Sequence, residues 1–238
     1  MNPKVSTTQQ RKVMTGNAAA AHAAMLCRPH VIAAYPITPS TEIIEVLYHL
    51  QAEGELKSQM AEPEGEHSVM SILASATAAG ARTFTATSSQ GLFFMYEPYI
   101  FAAAHRLPIV MVDATRETSP AAVASSGQDI MMVKDAGWVH IHVDSCQEIL
   151  DTVIMAYRLA EDPEILLPVT IGYDGYYLSY YSEAVDIPTQ ESVDSFVPWR
   201  ERPHRLDPEM PMTMQPISSV SLFTEYRTKH LDAMQRTK

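Results

Sequence analysis

Five short apolar runs recur along the first two-thirds of the chain, and helical patterning separates them: VIAAY (31–35), TFTAT (83–87), IVMVD (109–113), VHIHV (139–143) and PVTIGYD (168–174). Runs this short, bounded by turn residues and with few polar interruptions, read as strands buried on both faces. Between them, GNAAAAHAAML reads as a helix with Asn17 as a candidate cap. PSTEIIEVLYHLQ sets Ile43, Leu47 and Leu50 on one helical face. EGEHSVMSILASATAAGA is a helix of small residues, and GLFFMYEPYIFAAAHR is helical with Pro98 near a start or kink. SGQDIMMVKDAG also reads as helical, and SCQEILDTVIMAYRLAE opens with Ser145 and Glu148 at capping-box spacing. The alternation predicts an α/β fold, a mostly parallel sheet with helices on both faces.

From about Ala184 the texture changes to a proline-rich stretch with little periodicity, and helical patterning resumes in SLFTEYRTKHLDAMQRTK. The expectation is a domain over 1–183 followed by an extended arm and connector helix over 184–238. The tyrosine-rich YDGYYLSYY (173–181) has the composition of an interface or half-buried loop.

The 28 acids outnumber 17 bases and no basic run occurs, which argues against a nucleic-acid partner. No apolar run approaches the roughly 18 residues of a membrane span, and MNPKVSTTQQRKVMTG lacks the apolar stretch of a signal peptide. A cytoplasmic protein is expected. Its two cysteines, Cys27 and Cys146, are too few for an iron–sulfur cluster, which takes about four thiolates. His140 and His142 share one side of a strand but have no identifiable third partner, so no metal site is expected.

In such sheets ligands bind beyond the carboxyl ends of the strands. The segments there are PITPST, SSQG and ATRETS, all short and rich in hydroxyls. AEPEGEHSVM (61–70) adds Glu62, Glu64 and Glu66 just ahead of a small-residue helix. Read from the residues alone, these acids match the positive end of a helix. Thr38 reads as a helix cap, Arg116 as a partner of Glu117 or Asp113, and SSQG as a simple turn.

VIAAYPITPSTEI, EGEHSVMSILASATAAGARTFTATSSQG, LPIVMVDATR, DGYYLSYYSEAVDIP and LFTEYRTKHLDAM agree in order and spacing with one known pattern. From about Met14 to Met234 the chain resembles the alpha subunit of thiamine-diphosphate-dependent 2-oxoacid:ferredoxin oxidoreductases, the pyruvate:ferredoxin oxidoreductase group. The resemblance implies the pyrimidine type of thiamine-diphosphate-binding fold. It makes Glu66 the acid that contacts N1′ of the aminopyrimidine, where its hydrogen bond favours the tautomer that carries a proton there. It makes Thr38 a donor to an oxyanion developing on the substrate, and Arg116 the fork that binds the substrate carboxylate. Pro36, Ile37, Ser88, Ser89, Gln90 and Gly91 would line the pyrimidine pocket. Glu64 matches the first acid of the family pair and is expected to be structural, as is Glu62.

The same resemblance implies that Mg²⁺ and the pyrophosphate sit on a thiamine pyrophosphate-binding beta subunit, because no GDG…N motif is present. Further partners implied are iron–sulfur subunits, a gamma subunit, and ferredoxin or an NAD-linked flavin subunit, with coenzyme A taking the acyl group. A further domain downstream of the last helix is also implied. Pyruvate-specific members carry a GDHSD-like segment where this chain reads SSGQD, with Ser126-Gly127 in place of the aspartate–histidine pair. The substrate expected is therefore pyruvate or a larger aryl or branched 2-oxoacid such as phenylglyoxylate. The alternatives are a component of another thiamine-dependent decarboxylase or dehydrogenase, and a noncatalytic assembly module.

Overall fold

The computed structural model describes residues 9–125, 127–202, 204–214 and 217–238. The first eight residues, half of the stretch in which no signal peptide is read, lie outside the described residues, as does Ser126. In chain order, β1 (Gln10–Thr15) leads into α1 (Gly16–Leu26), and β2 (Val31–Ala33), α2 (Thr41–Ala52), β3 (Gln59–Ala61), α3 (Glu66–Ala78) and β4 (Thr83–Thr87) follow. Next come α4 (Gln90–Phe94), α5 (Tyr96–Ala104), β5 (Val110–Thr115), the short β6 (Glu117–Thr118) and β7 (Ala121–Ala122), and α6 (Asp129–Met132). Then come β8 (Val139–His142), α7 (Cys146–Ala160), β9 (Val169–Asp174), α8 (Tyr177–Tyr180), β10 (Ser182–Ile187), α9 (Gln190–Phe196) and α10 (Val220–Gln235).

Six strands form one parallel sheet in the order β3-β2-β4-β5-β9-β8. β4 shows why the strand sequences are so apolar: all five of its residues are buried, because helices cover both faces. Phe84 and Ala86 face a core built with α1, α2 and α7, whereas α3 and α5 pack over the opposite face. The period of two turns Thr83, Thr85 and Thr87 to that second face, where the Thr83 hydroxyl meets that of Thr77 in α3 at 2.8 Å. α2 and α3 leave β2 and β3 on opposite faces, so the topology reverses between β2 and β4. A doubly wound sheet opens a crevice at that point, beyond the strands' carboxyl ends.

The fold and five expected strands are present, and several local readings are corrected. Asn17 does not cap α1; the Thr15 hydroxyl does, accepting from the Ala18 amide at 3.1 Å, and Asn17 is buried inside the helix. Ser145 caps α7 as its spacing predicts, accepting from the Glu148 amide, while the Glu148 carboxylate takes the Asp144 amide. The SGQDIMMVKDAG helix shrinks to the four residues of α6. The helix expected from Gly91 breaks at Met95, and Pro98 lies in the first turn of α5, where its missing N–H costs nothing. The region after Ala184 is less irregular than its composition suggests: β10 runs across that position, and α9 follows. β10 pairs antiparallel with β1, from Gln10 opposite Ile187 to Thr15 opposite Ser182. Exposed and buried residues are mixed along this ribbon, so its strands lack the apolar run that announces a buried strand.

No helix of the described residues is long and apolar enough to cross a membrane.

Candidate active site

The segments that follow the central strands converge at the carboxyl edge of the sheet. Pro36, Ile37 and Thr38 follow β2, Glu66 opens α3 after β3, Ser88 to Gly91 follow β4, and Arg116 follows β5. Pro36 and Thr38 are exposed, whereas Ser88 and Ser89 are buried.

Glu66 is the first residue of α3 and only 7 % exposed. It makes no hydrogen bond or ion pair among the described residues. The helix N-terminus supplies a positive field there, but desolvation opposes a lone carboxylate, so the group is set up to take a partner. Gly91 shows how tightly it is held. A Cβ at Gly91 would lie 2.6 Å from Glu66 Oε1 and 2.4 Å from Thr87 Oγ1, so only glycine fits between the two. Glu64 and Glu62 are different. Glu64 accepts from Ser68 Oγ at 2.5 Å, which holds its carboxyl below the usual range, and Glu62 receives a long 3.5 Å contact from the Tyr48 hydroxyl.

The Arg116 guanidinium lies across the crevice mouth. Nη1 donates to the Thr38 carbonyl and Nη2 to Gln90 Oε1, each at 2.5 Å, while Nε is buried without a partner. Each terminal nitrogen keeps a second hydrogen to give. The salt bridge with Glu117 or Asp113 that the residues alone suggested is not formed. Gln90 is fixed at its other end by Nε2 donating to the Thr118 carbonyl at 2.8 Å. Ser89 adopts φ 49°, ψ −117°, a conformation an L-residue holds only when its surroundings impose it.

Asp129 imposes it. Its Oδ2 accepts from the Ser89 amide at 2.6 Å and the Arg116 amide at 3.2 Å, and its Oδ1 from the Ile130 amide at 3.1 Å. One buried carboxylate therefore ties the loop after β4 to the end of β5. Burial raises its pKa and those amides oppose the rise. Asp113, fully buried on β5, has neither oxygen paired, and burial followed by the Asp129 charge pushes its carboxyl well above the ordinary range. In the strand ladder it stands beside Thr87. Asp113 is visible in the sequence as an acid in an apolar strand, and Asp129 as the aspartate of SSGQD. Their linkage is not visible, because it depends on loops meeting.

Gly127 passes close over Arg116: a Cβ on it would lie 2.2 Å from the Arg116 carbonyl carbon. This backbone path has no room for a histidine at that position. His140 donates to or accepts from the Tyr99 hydroxyl at 2.9 Å, and burial lowers its pKa to about 4. No cluster of three metal-ligating side chains occurs among the described residues.

The residues at the strand ends fit an aminopyrimidine. The partnerless Glu66 carboxylate suits a protonated ring nitrogen. The buried hydroxyls of Thr87 and Ser88 have no protein partner, and Gly91 leaves the space beside Glu66 clear.

Comparisons with known proteins show the family of the chain. The family described as pyruvate flavodoxin/ferredoxin oxidoreductase, thiamine diP-bdg matches residues 22–238. The chain is 45 % identical over 228 residues to pyruvate synthase subunit PorA of Methanothermobacter thermautotrophicus, covering 95 % of this chain and 60 % of that protein. It is 39 % identical over 244 residues to the alpha subunit of NADH-dependent phenylglyoxylate dehydrogenase of Aromatoleum evansii, covering 98 % and 58 %. The chain thus spans about three-fifths of the length of these relatives. Its fold superposes with a TM-score of 0.79 on 2-oxoglutarate:ferredoxin oxidoreductase from Magnetococcus marinus, at 20 % identity, covering 95 % of this chain and 45 % of that one. The chain belongs to the pyruvate flavodoxin/ferredoxin oxidoreductase family and is its thiamine diphosphate-binding domain.

Proposed function

We propose that this chain is the pyrimidine-binding half of the active site in a 2-oxoacid oxidoreductase that converts a 2-oxoacid and coenzyme A to acyl-CoA and CO2. The observation that carries the reading is the pairing of a buried, partnerless Glu66 at the head of α3 with Arg116 at the end of β5. When bound, thiamine diphosphate supplies a carbon nucleophile and an electron sink. Glu66 holds or exchanges a proton at N1′ of the aminopyrimidine, and Ser88, Ser89, Gln90 and Gly91, with Pro36 and Ile37, line its pocket. The free hydrogens of the Arg116 terminal nitrogens bind the substrate carboxylate. The Thr38 hydroxyl donates to the substrate's carbonyl oxygen as negative charge develops on it.

In this reading residues 1–183 are the pyrimidine-binding unit and 184–238 an arm and connector helix, stitched together by the β1–β10 ladder. A thiamine pyrophosphate-binding beta subunit completes the cofactor site and supplies Mg²⁺. The two electrons go to clusters on iron–sulfur subunits and then to ferredoxin or an NAD-linked flavin subunit; a gamma subunit completes the cytoplasmic complex. The substrate is pyruvate or a larger aryl or branched 2-oxoacid. Phenylglyoxylate is supported by the relative named for it and by Gly127, which puts no side chain beside Arg116.

The test uses the native complex, purified anaerobically with all its subunits. Addition of coenzyme A and one 2-oxoacid of a panel is expected to bleach the iron–sulfur absorbance, and the acid that does so names the substrate. A complex without iron–sulfur absorbance would defeat the oxidoreductase reading in favour of another thiamine-dependent decarboxylase or dehydrogenase. Clusters that no acid bleaches would favour a noncatalytic assembly module.

A further inference from the structure

The turn that carries Thr38 has little backbone structure to hold it, yet three consecutive carbonyls in it are each taken by a different side chain. The Ile37 carbonyl accepts from Ser40 Oγ at 2.8 Å, the Thr38 carbonyl from Arg116 Nη1 at 2.5 Å, and the Pro39 carbonyl from Asn17 Nδ2 at 2.9 Å. Ser40 is a local contact. Arg116 and Asn17 reach the turn from β5's end and from α1.

Asn17 is the second residue of a helix otherwise made largely of alanine. It is fully buried, where an unpaired amide is destabilising. Each end of its amide is occupied. Oδ1 accepts from the Tyr173 hydroxyl at 2.5 Å and from Ser179 Oγ at 3.1 Å. The Pro39 carbonyl can only accept, so the amide must turn Nδ2 toward it, and the two hydroxyls, which can give or take, donate to Oδ1. The neighbouring packing is equally tight: a Cβ on Gly175 would lie 2.8 Å from Pro39 Cγ.

We propose that Asn17 is a positioning residue for Thr38, acting through the Pro39 carbonyl as one jaw of a clamp whose other jaw is Arg116. Resting on the reading of Thr38 given above, it makes one residue of α1, remote in sequence from the strand-end loops, a determinant of turnover.

The test is a double-mutant cycle in the complete complex, reading kcat, KM for the 2-oxoacid and the thermal midpoint. Asn17→Ala is expected to lower kcat about ten- to a hundredfold, the penalty of a slightly misplaced reacting group, with KM changed less than about threefold. The Asn17→Ala/Thr38→Val double variant is expected to be no slower than Thr38→Val alone. Losses that multiply, or a lowered thermal midpoint with kcat intact, would overturn the proposal. If Asn17→Ala fails to assemble, Tyr173→Phe carries the test, since it removes one donor that orients the amide and keeps the ring. A crystal structure of either variant is the readout independent of activity: residues 37–39 should be displaced, and an unmoved turn overturns the clamp. A wild-type complex that oxidises no 2-oxoacid would instead defeat the functional reading beneath it, leaving the displacement test standing.

Discussion

Glu66 and Gly91 are in mutual contact: the carboxylate oxygen of one stands 2.6 Å from where the other would carry a Cβ. The acid at the head of α3 and the start of α4 therefore share a space that no side chain can enter. Gly91→Ala should push Glu66 and Thr87 apart with little change in fold, since alanine favours the helix Gly91 occupies. We expect kcat to fall about a hundredfold, near the loss from removing a general acid–base group. Steady-state kinetics on the assembled complex checks this, and an unchanged kcat would separate Gly91 from the site.

The Arg116 guanidinium is a planar fork held between the Thr38 carbonyl and Gln90. Lysine carries the charge but not the fork. Arg116→Lys is expected to raise KM for the 2-oxoacid more than about tenfold, the value of a charge-assisted hydrogen bond, while the affinity for thiamine diphosphate stays the same. Gln90→Ala should raise KM by a smaller factor, because it loosens the fork without removing it. Equal effects of Arg116→Lys on both affinities would show that Arg116 organises the whole crevice instead of binding substrate.

Asp113 makes a stability prediction with a definite sign. Burial holds its proton in the folded state, whereas an unfolded chain releases it above about pH 3.9. The folded state then binds more protons than the unfolded one, so stability falls as pH rises from near 4 until the folded group ionises. Asp113→Asn removes that titration and keeps the shape. Relative to the variant, the wild type should lose up to about 1.4 kcal/mol per pH unit over this window. Denaturation midpoints of the two proteins measured across pH 4 to 7 test it, and parallel curves would contradict it.

Legibility in the sequence followed burial. IVMVD is almost wholly apolar and TFTAT is β-branched or aromatic in four of its five residues because helices cover both of their faces, and that pattern survives reading without coordinates. QRKVMT and SEAVDI are not legible as strands because their ribbon mixes exposed with buried positions and charge with apolar residues. At the site, Glu66, Thr38 and Arg116 are singled out by strand ends and a resemblance, both properties of the linear chain. The contacts of Asn17 and Asp129 with the loops there are not legible in the same way. Each works by reaching carbonyls or amides from a distant segment, over 22 residues from Asn17 to Pro39 and 40 from Asp129 to Ser89. Spacing encodes helix and strand faces; it does not encode which loops meet.

The account turns on Glu66 acting on the aminopyrimidine. The most direct measurement is exchange of the thiamine C2 proton with deuterium in the reconstituted complex, followed by rapid quench and NMR without any 2-oxoacid. Glu66→Gln keeps the size and a hydrogen bond but cannot exchange a proton. The account predicts an exchange rate at least about a hundredfold below wild type, with thiamine diphosphate still bound. A Glu66→Gln complex that exchanges at the wild-type rate would contradict it.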